Sequence, residues 1–139
     1  MSWLELVDRD ADRVRARTKA PVSVAMILGS GLGSYADTLE DPLTLPYSEL
    51  EGCPESTVPG HTGQFVIGEK RGVRVMAMQG RVHAYEGHAQ SAIVHPLRLM
   101  WRLGAQTLVV TNAAGGLRPE WEPGTLMVIR DDINMTRAN

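Results

Sequence analysis

Two short apolar runs, each followed directly by a glycine-rich cluster, constrain the fold of this chain more than any other feature. Residues 22–28 read VSVAMIL and precede GSGLG, while residues 107–111 read TLVVT and precede NAAGG. Short apolar runs of this kind predict strands that are buried on both faces of a sheet. Ligands of α/β proteins bind at the ends of such strands, so both clusters are candidate binding loops.

Further periodicity places helices and a hairpin around these runs. Apolar residues at helical spacing predict an amphipathic helix over 3–17 and a second helix over 91–103, which Pro96 either kinks or begins. Residues 65–68 and 73–78 predict the two strands of a hairpin, because a short charged turn containing glycine separates them.

Two less regular segments complete the pattern. Residues 34–63 are rich in proline, glycine, aspartate and serine, so we expect them to form mostly loop. Thr125–Arg130 reads TLMVIR and predicts a further strand. Strands separated by helices and loops indicate an α/β fold with a mixed β-sheet flanked by helices, and residues 1–139 are assigned to one such domain.

Charge and composition exclude several classes of function. With 14 basic and 16 acidic residues the formal net charge is −2, so we expect neither a nucleic acid nor an anionic membrane as partner. No apolar run approaches the roughly 18 residues of a membrane span, and the charged N-terminal segment is unlike a signal peptide. Cys53 is the single cysteine, which excludes an internal disulfide and fits a reducing cytoplasm. We expect it to be an ordinary loop thiol.

The cluster GSGLG, residues 29–33, has the composition of an anion-binding loop. Glycines let the backbone approach an anion closely, and main-chain N–H groups and the Ser30 hydroxyl can point at it. A dinucleotide-binding fingerprint is one alternative, but that motif needs glycine where this chain has Ser34. A tight turn without a ligand is the other alternative.

The stretch MQGRVHAYEGH, residues 78–88, is the richest in hydrogen-bonding side chains. Arg81 offers paired donors that suit two phosphate oxygens, and His83 can add another donor. Alternation along an extended segment would place Arg81, His83 and Tyr85 on one side. Glu86 could orient a histidine or bind a sugar hydroxyl. A polar loop held together by internal salt bridges is the alternative.

Other candidate positions carry weaker signals. Small side chains in Asn112–Gly116 leave main-chain groups uncovered, as binding through the backbone requires, although a plain turn fits equally well. His61, in the cluster PGHTG, lies in a predicted loop where it could cover an anion. His88 and His95 are expected to be structural. The sequence shows no cluster of side chains that predicts a metal site.

Five of these motifs, taken together, resemble the trimeric purine nucleoside phosphorylases, the family that acts on inosine and guanosine. GSGLG, PGHTG, GRVHAYEGH, VVTNAAGGL and IRDDIN occur in the order and spacing of that family, over roughly residues 22–134. The resemblance implies a nucleoside phosphorylase-like fold, a pentosyltransferase activity in nucleoside metabolism and purine salvage, a homotrimer and a cytoplasmic location.

The resemblance also implies roles for individual residues. The positions that would bind phosphate are Ser30, His61, Arg81, His83 and the main-chain N–H of Ala113. Among these, His61 would close over the bound phosphate. Tyr85 would contact the ribose, while Glu86 and Asn112 would support the site.

The reaction implied by the resemblance is phosphorolysis of a purine nucleoside. Phosphate attacks the anomeric carbon as the purine leaves, which gives the free base and ribose 1-phosphate, or deoxyribose 1-phosphate from a deoxynucleoside. Phosphate is a co-substrate, and no cofactor or metal is expected. Family members continue well beyond Asn139, where the purine-binding residues are expected, so we interpret this chain as the N-terminal part of the domain with little activity alone.

Two alternatives stay open at this point. A methylthioadenosine phosphorylase has a similar architecture, although GRVHAYEGH fits the purine enzymes better. A non-catalytic fragment that binds phosphate or mediates assembly is the second alternative.

Overall fold

The computed structural model describes residues 2–18, 20–54 and 63–135, so His61 lies outside the described residues. The described helices are α1 (Trp3–Arg17), α2 (Gln90–Ile93) and α3 (His95–Arg102). The described strands are β1 (Val24–Leu28), β2 (Glu40–Pro46), β3 (Gln64–Lys70), β4 (Val73–Gln79) and β5 (Thr107–Val110). Short 3-10 helices occur at Gly33–Thr38, Tyr47–Glu49 and Ala84–Glu86.

The described strands form one five-stranded mixed sheet in the order β2-β3-β4-β1-β5. Strands β2, β3 and β4 are antiparallel neighbours, whereas β1 is parallel to both β4 and β5. The predicted α/β fold with a mixed sheet is therefore confirmed. Because β4, β1 and β5 run in the same direction, the segments that follow them leave the sheet at the same edge.

The predicted hairpin forms from β3 and β4. Its turn, Arg71 and Gly72, has positive φ at both positions, 53° and 76°, as the twist of a two-residue hairpin requires. Four consecutive residues in each strand are buried, which anchors this pair in the centre of the molecule.

The expectation that residues 34–63 are mostly loop is wrong for part of that segment, because it contains strand β2, which pairs with β3. Leu45 on β2 is buried, and the register shifts between Glu40 and Leu43. A Cβ at Gly68 on β3 would lie 2.7 Å from the carbonyl oxygen of Glu40, so glycine permits this close pairing. Only two leucines alternate in β2, which is too short a signal to distinguish an edge strand from a loop.

Two helices cover one face of the sheet. At the start of α1, Ser2 accepts a hydrogen bond from the backbone N–H of Glu5, whose carboxylate accepts one from Ser2. The second predicted helix is divided at Val94 into α2 and α3, with Pro96 in the first turn of α3, where it needs no backbone donor. The main apolar core lies between these helices and the sheet and includes Val14, Phe65, Ile67, Met76 and Leu99.

The last described segment differs from the rest. Strand β5 forms where it is predicted, but its four residues are exposed rather than buried. The strand predicted at Thr125–Arg130 is not formed, and Leu126 and Val128 are 92% and 94% exposed. An apolar run becomes a strand only when another strand supplies its hydrogen bonds, and among the described residues this run has no such neighbour. None of the described helices is both long enough and apolar enough to cross a bilayer.

Candidate active site

Three of the sequence clusters meet at the edge of the sheet where β4, β1 and β5 end. Leu28 at the end of β1 is in register with Gln79 at the end of β4, and Ile27 with Val110 of β5. The segments that begin at Gly29, Gly80 and Thr111 consequently leave the sheet side by side. We call this edge the strand-end site.

Direct contacts hold the first and third segments together. The backbone N–H of Gly29 donates to the hydroxyl of Thr111 at 2.9 Å, and that hydroxyl donates to the carbonyl of Ile27 at 3.2 Å. A Cβ at Gly29 would lie 2.5 Å from the carbonyl oxygen of Thr111 and 2.9 Å from Cα of Asn112. Glycine at this position therefore allows the GSGLG loop and the NAAGG segment to touch.

The side chain of Gln79 connects the first segment with the second. Its amide nitrogen donates to the carbonyl of Gly33 at 3.0 Å, and its oxygen accepts from Gln64 at 2.6 Å. On the other side of β4, the Tyr47 hydroxyl donates to the carbonyl of Gly80 at 2.6 Å. Burial, and secondarily the nearby Cys53, raise the pKa of the Tyr47 phenol, so the phenol keeps the proton that it donates. The backbone at Gly80 is thus fixed where the polar stretch begins.

The polar stretch after β4 is ordered by contacts within itself. The backbone N–H of His83 donates to a carboxylate oxygen of Glu86 at 2.7 Å. The rings of His83 and Tyr85 stack, with centroids 4.9 Å apart and planes 10° from parallel. Stacking places these two side chains together, and Tyr85 is 77% exposed. The extended segment that the predicted alternation requires ends at His83, because Ala84–Glu86 form a 3-10 helix.

The strand-end site is open toward solvent. Ser30, Asn112 and Ala113 are exposed, whereas Arg81 and His83 are half-buried. A hydroxyl, a guanidinium, an imidazole and main-chain N–H groups therefore occupy neighbouring segments at one edge. This set of donors can bind an anion, and an exposed aromatic ring beside it can pack against a second group.

A second cluster lies away from this edge, and the sequence pattern does not reveal it. Asp10 on α1 is fully buried and accepts hydrogen bonds from the backbone N–H groups of Glu51 and Gly52, both at 2.9 Å. The ring nitrogen Nε2 of His95 lies 2.8 Å from the same carboxylate, which confirms a structural environment for that histidine. Because 85 residues separate Asp10 from His95, no local motif connects them.

Cys53 belongs to this second cluster. It lies in a loop, as predicted, but it is 7% exposed and packs in the apolar core, so it is not an ordinary loop thiol. Burial, and secondarily the charge of Asp10, raise the pKa of the thiol well above its ordinary range. His88, in contrast, is half-buried, and its Nε2 has no hydrogen-bond partner among the described residues.

The fold and the strand-end site together define a nucleoside phosphorylase-like protein, and the chain belongs to the phosphorylase superfamily, whose family model matches residues 23–139. Within that superfamily it is similar to purine nucleoside phosphorylase 1 of Bacillus subtilis, with 44% identity over 133 residues, and to the purine nucleoside phosphorylase of Rattus norvegicus, with 47% identity over 127 residues. These alignments cover 96% and 91% of this chain but 49% and 44% of the relatives.

Solved structures show the same relationship. The purine nucleoside phosphorylase of Schistosoma mansoni in complex with inosine superposes with a TM-score of 0.75 and 36% identity. The superposition covers 85% of this chain and 41% of that one. The chain thus spans about half the length of the relatives that it matches.

Proposed function

We propose that this chain forms the phosphate- and ribose-binding part of a purine nucleoside phosphorylase. The observation that carries the proposal is the meeting of the GSGLG, GRVHAYEGH and NAAGG segments at the strand-end site. These are the segments to which the family resemblance gives phosphate contacts. Relatives that are 41% to 48% identical and named purine nucleoside phosphorylases support the same reaction.

In the proposed mechanism, the anion is held before the sugar is attacked. The Ser30 hydroxyl, the Arg81 guanidinium, His83 and the main-chain N–H of Ala113 bind phosphate, and His61 closes over it. Tyr85 packs against the ribose, while Glu86 and Asn112 support the site. The hydrogen bond from the His83 backbone to Glu86 is the described contact through which Glu86 orients this segment.

The chemistry explains why an anion site is central. Cleavage of the glycosidic bond passes through a state in which the sugar carries positive charge. A phosphate dianion held beneath the sugar stabilises that charge and then forms the new bond to the anomeric carbon. The products are the free purine and ribose 1-phosphate, and the proposed reaction uses phosphate as a co-substrate without a cofactor.

The purine-binding residues belong, in this proposal, to the half of the relatives that the alignments do not cover. Exposed apolar surface next to β5 indicates where that half packs. Leu108 and Val110 are 43% and 52% exposed, and an open groove of about 370 Å³ is lined by Leu97, Trp101 and Leu108 among others. A complete enzyme would cover this surface and continue the sheet beyond β5. Assembly as a homotrimer and a cytoplasmic location are further parts of the proposal.

A phosphorolysis assay tests the proposal directly. The 139-residue chain is assayed with inosine, guanosine and methylthioadenosine, alone and after co-expression with the second half of the Bacillus subtilis relative. We expect little or no cleavage by the chain alone, because catalysis requires the base, sugar and phosphate to be held together. Co-expression is expected to restore cleavage of inosine or guanosine. Preference for methylthioadenosine would favour the related phosphorylase, and binding of phosphate without any cleavage would favour a non-catalytic module.

Replacement of Arg81 by lysine tests the phosphate assignment in the complemented enzyme. Lysine keeps the charge but loses the paired donors, so we expect transition-state stabilisation to fall by about 2 kcal/mol, mainly through weaker phosphate binding. The measurement is kcat/KM for phosphate. Arg118→Lys is the matched control, because that exposed arginine pairs with Glu120 on the surface. An unchanged phosphate dependence in R81K would contradict the assignment.

A further inference from the structure

We propose that Asp10, Cys53 and His95 supply three ligands of a binding site for a zinc-class divalent cation. Asp10 lies on α1, Cys53 in the loop after the Tyr47–Glu49 turn, and His95 at the start of α3. One potential ligand atom from each residue lies within 4.8 Å of the other two. The three residues are 0%, 7% and 3% exposed. Carboxylate oxygen, thiolate sulfur and imidazole nitrogen are the ligand types that zinc uses in proteins.

Binding an ion requires the three ligand atoms, which lie within 4.8 Å of one another, to adjust their spacing. In a tetrahedral zinc site with bonds of about 2.0–2.3 Å, neighbouring ligand atoms lie roughly 3.3–3.8 Å apart. Nε2 of His95 and Oδ2 of Asp10 are 2.8 Å apart and joined by a hydrogen bond. An ion that replaces this hydrogen bond would therefore move the two atoms apart by roughly 0.5 Å.

The carboxylate of Asp10 is already oriented by groups that a bound ion would leave in place. The N–H groups of Glu51 and Gly52 each donate to one of its oxygens. A carboxylate oxygen accepts at two positions, so both backbone hydrogen bonds can persist when the ion replaces the hydrogen bond between Asp10 and His95. Contacts of this kind fix ligand geometry in known metal sites.

Charge balance favours a divalent ion in this buried position. The Asp10 carboxylate and a Cys53 thiolate carry two negative charges, and neutral His95 adds none, so the complex has no net charge to bury. Arg13 lies 3.4 Å from Asp10, but its guanidinium also pairs with Glu51 at 2.5 Å. Binding releases the thiol proton to solvent. Neutral His95 changes tautomer without a net loss of protons: Nε2 gives up its proton and binds the ion, and Nδ1 takes up one proton from solvent.

The location of the cluster indicates that the ion would stabilise the fold and would take no part in the proposed phosphorolysis. The cluster joins α1, the loop at residues 51–53 and α3, on the helix-covered side of the sheet. It shares no residue with the strand-end site, and the proposal does not depend on the proposed function. A bound ion would link three segments that are distant in the sequence, so its binding energy would add to the stability of the fold.

Cobalt provides the first test, because it occupies zinc sites and its thiolate complexes absorb light. The 139-residue chain is treated with a chelator under a thiol-free reductant and titrated with Co²⁺, followed by Zn²⁺. We expect one equivalent of Co²⁺ to bind with a thiolate-to-cobalt charge-transfer band that Zn²⁺ removes. Cys53→Ser and His95→Gln each remove a proposed ligand. We expect each to weaken binding by at least roughly 10- to 100-fold, the loss seen when a group that only orients a ligand is removed. Asp12→Asn, an exposed site on the same helix, should bind normally.

A second measurement uses the unmodified chain, in case either variant fails to fold. Zn²⁺ should raise its Tm and slow alkylation of Cys53 in proportion to site occupancy. Absence of stoichiometric binding would overturn the proposal. Binding that C53S retains in full, or that lacks the thiolate band, would overturn it as well, because the ion would then be held elsewhere.

Discussion

Strands β3 and β5 both contain apolar runs, but β3 is buried and β5 is exposed. Strand β3 pairs with β2 on one side and β4 on the other, and four of its consecutive residues are buried. Strand β5 pairs with β1 alone among the described strands, and its four residues are exposed. Local sequence is sufficient to favour a strand in both places, but burial depends on what packs beside it.

The largest contrast is expected from truncating one large side chain in each region. Phe65 on β3 is fully buried, and its ring packs edge-on against Tyr47 at 4.8 Å between centroids. We expect Phe65→Ala to lower the free energy of unfolding by about 3–5 kcal/mol, because it removes a buried ring and leaves a cavity. Val110→Ala on β5 should change it by less than about 0.5 kcal/mol. Urea unfolding of both variants measures the difference, and equal losses would show that β5 is packed in solution.

A smaller difference in stability is expected when a methyl group is added to a glycine in the packed part of the molecule and to one in the exposed segment after β5. A Cβ at Gly52 would overlap the ring of His95, which cannot turn away without losing its hydrogen bond to Asp10. We expect Gly52→Ala to cost about 1–3 kcal/mol through overpacking. Gly115 has no atom near the corresponding position, so Gly115→Ala should be nearly neutral. Thermal unfolding compares the pair, and a neutral Gly52→Ala would mean that the His95 ring is free to move.

The smallest effect on stability should come from adding charge to β5. Leu108→Lys combined with Val110→Lys is expected to change the unfolding free energy of the 139-residue chain by only about 0.5 kcal/mol. The same change should reduce self-association, because lysine on an unpaired edge opposes strand pairing between molecules. Sedimentation over a range of concentrations detects this. In the complemented enzyme the two lysines should instead prevent assembly, and normal assembly would place the second half elsewhere.

The sequence by itself determines the elements whose signals are local. Helix α1 is marked by its apolar spacing, and the β3–β4 hairpin by two apolar runs around a short charged turn that contains Gly72. The three glycine-rich or polar clusters are also found from the sequence, because each one directly follows an apolar run that predicts a strand. These features depend on hydrogen bonds or contacts within a few residues of the chain, so a linear pattern records them.

Tertiary structure alone decides the features that depend on distant partners. Strand β2 forms because β3 supplies its backbone hydrogen bonds. Thr125–Arg130 forms no strand because no described strand lies beside it to supply such bonds. The Asp10, Cys53 and His95 cluster arises only when α1 and α3 pack on the same face of the sheet. Burial and side-chain convergence are set by the summed packing of segments far apart in the chain, and for that reason no short stretch of sequence encodes them.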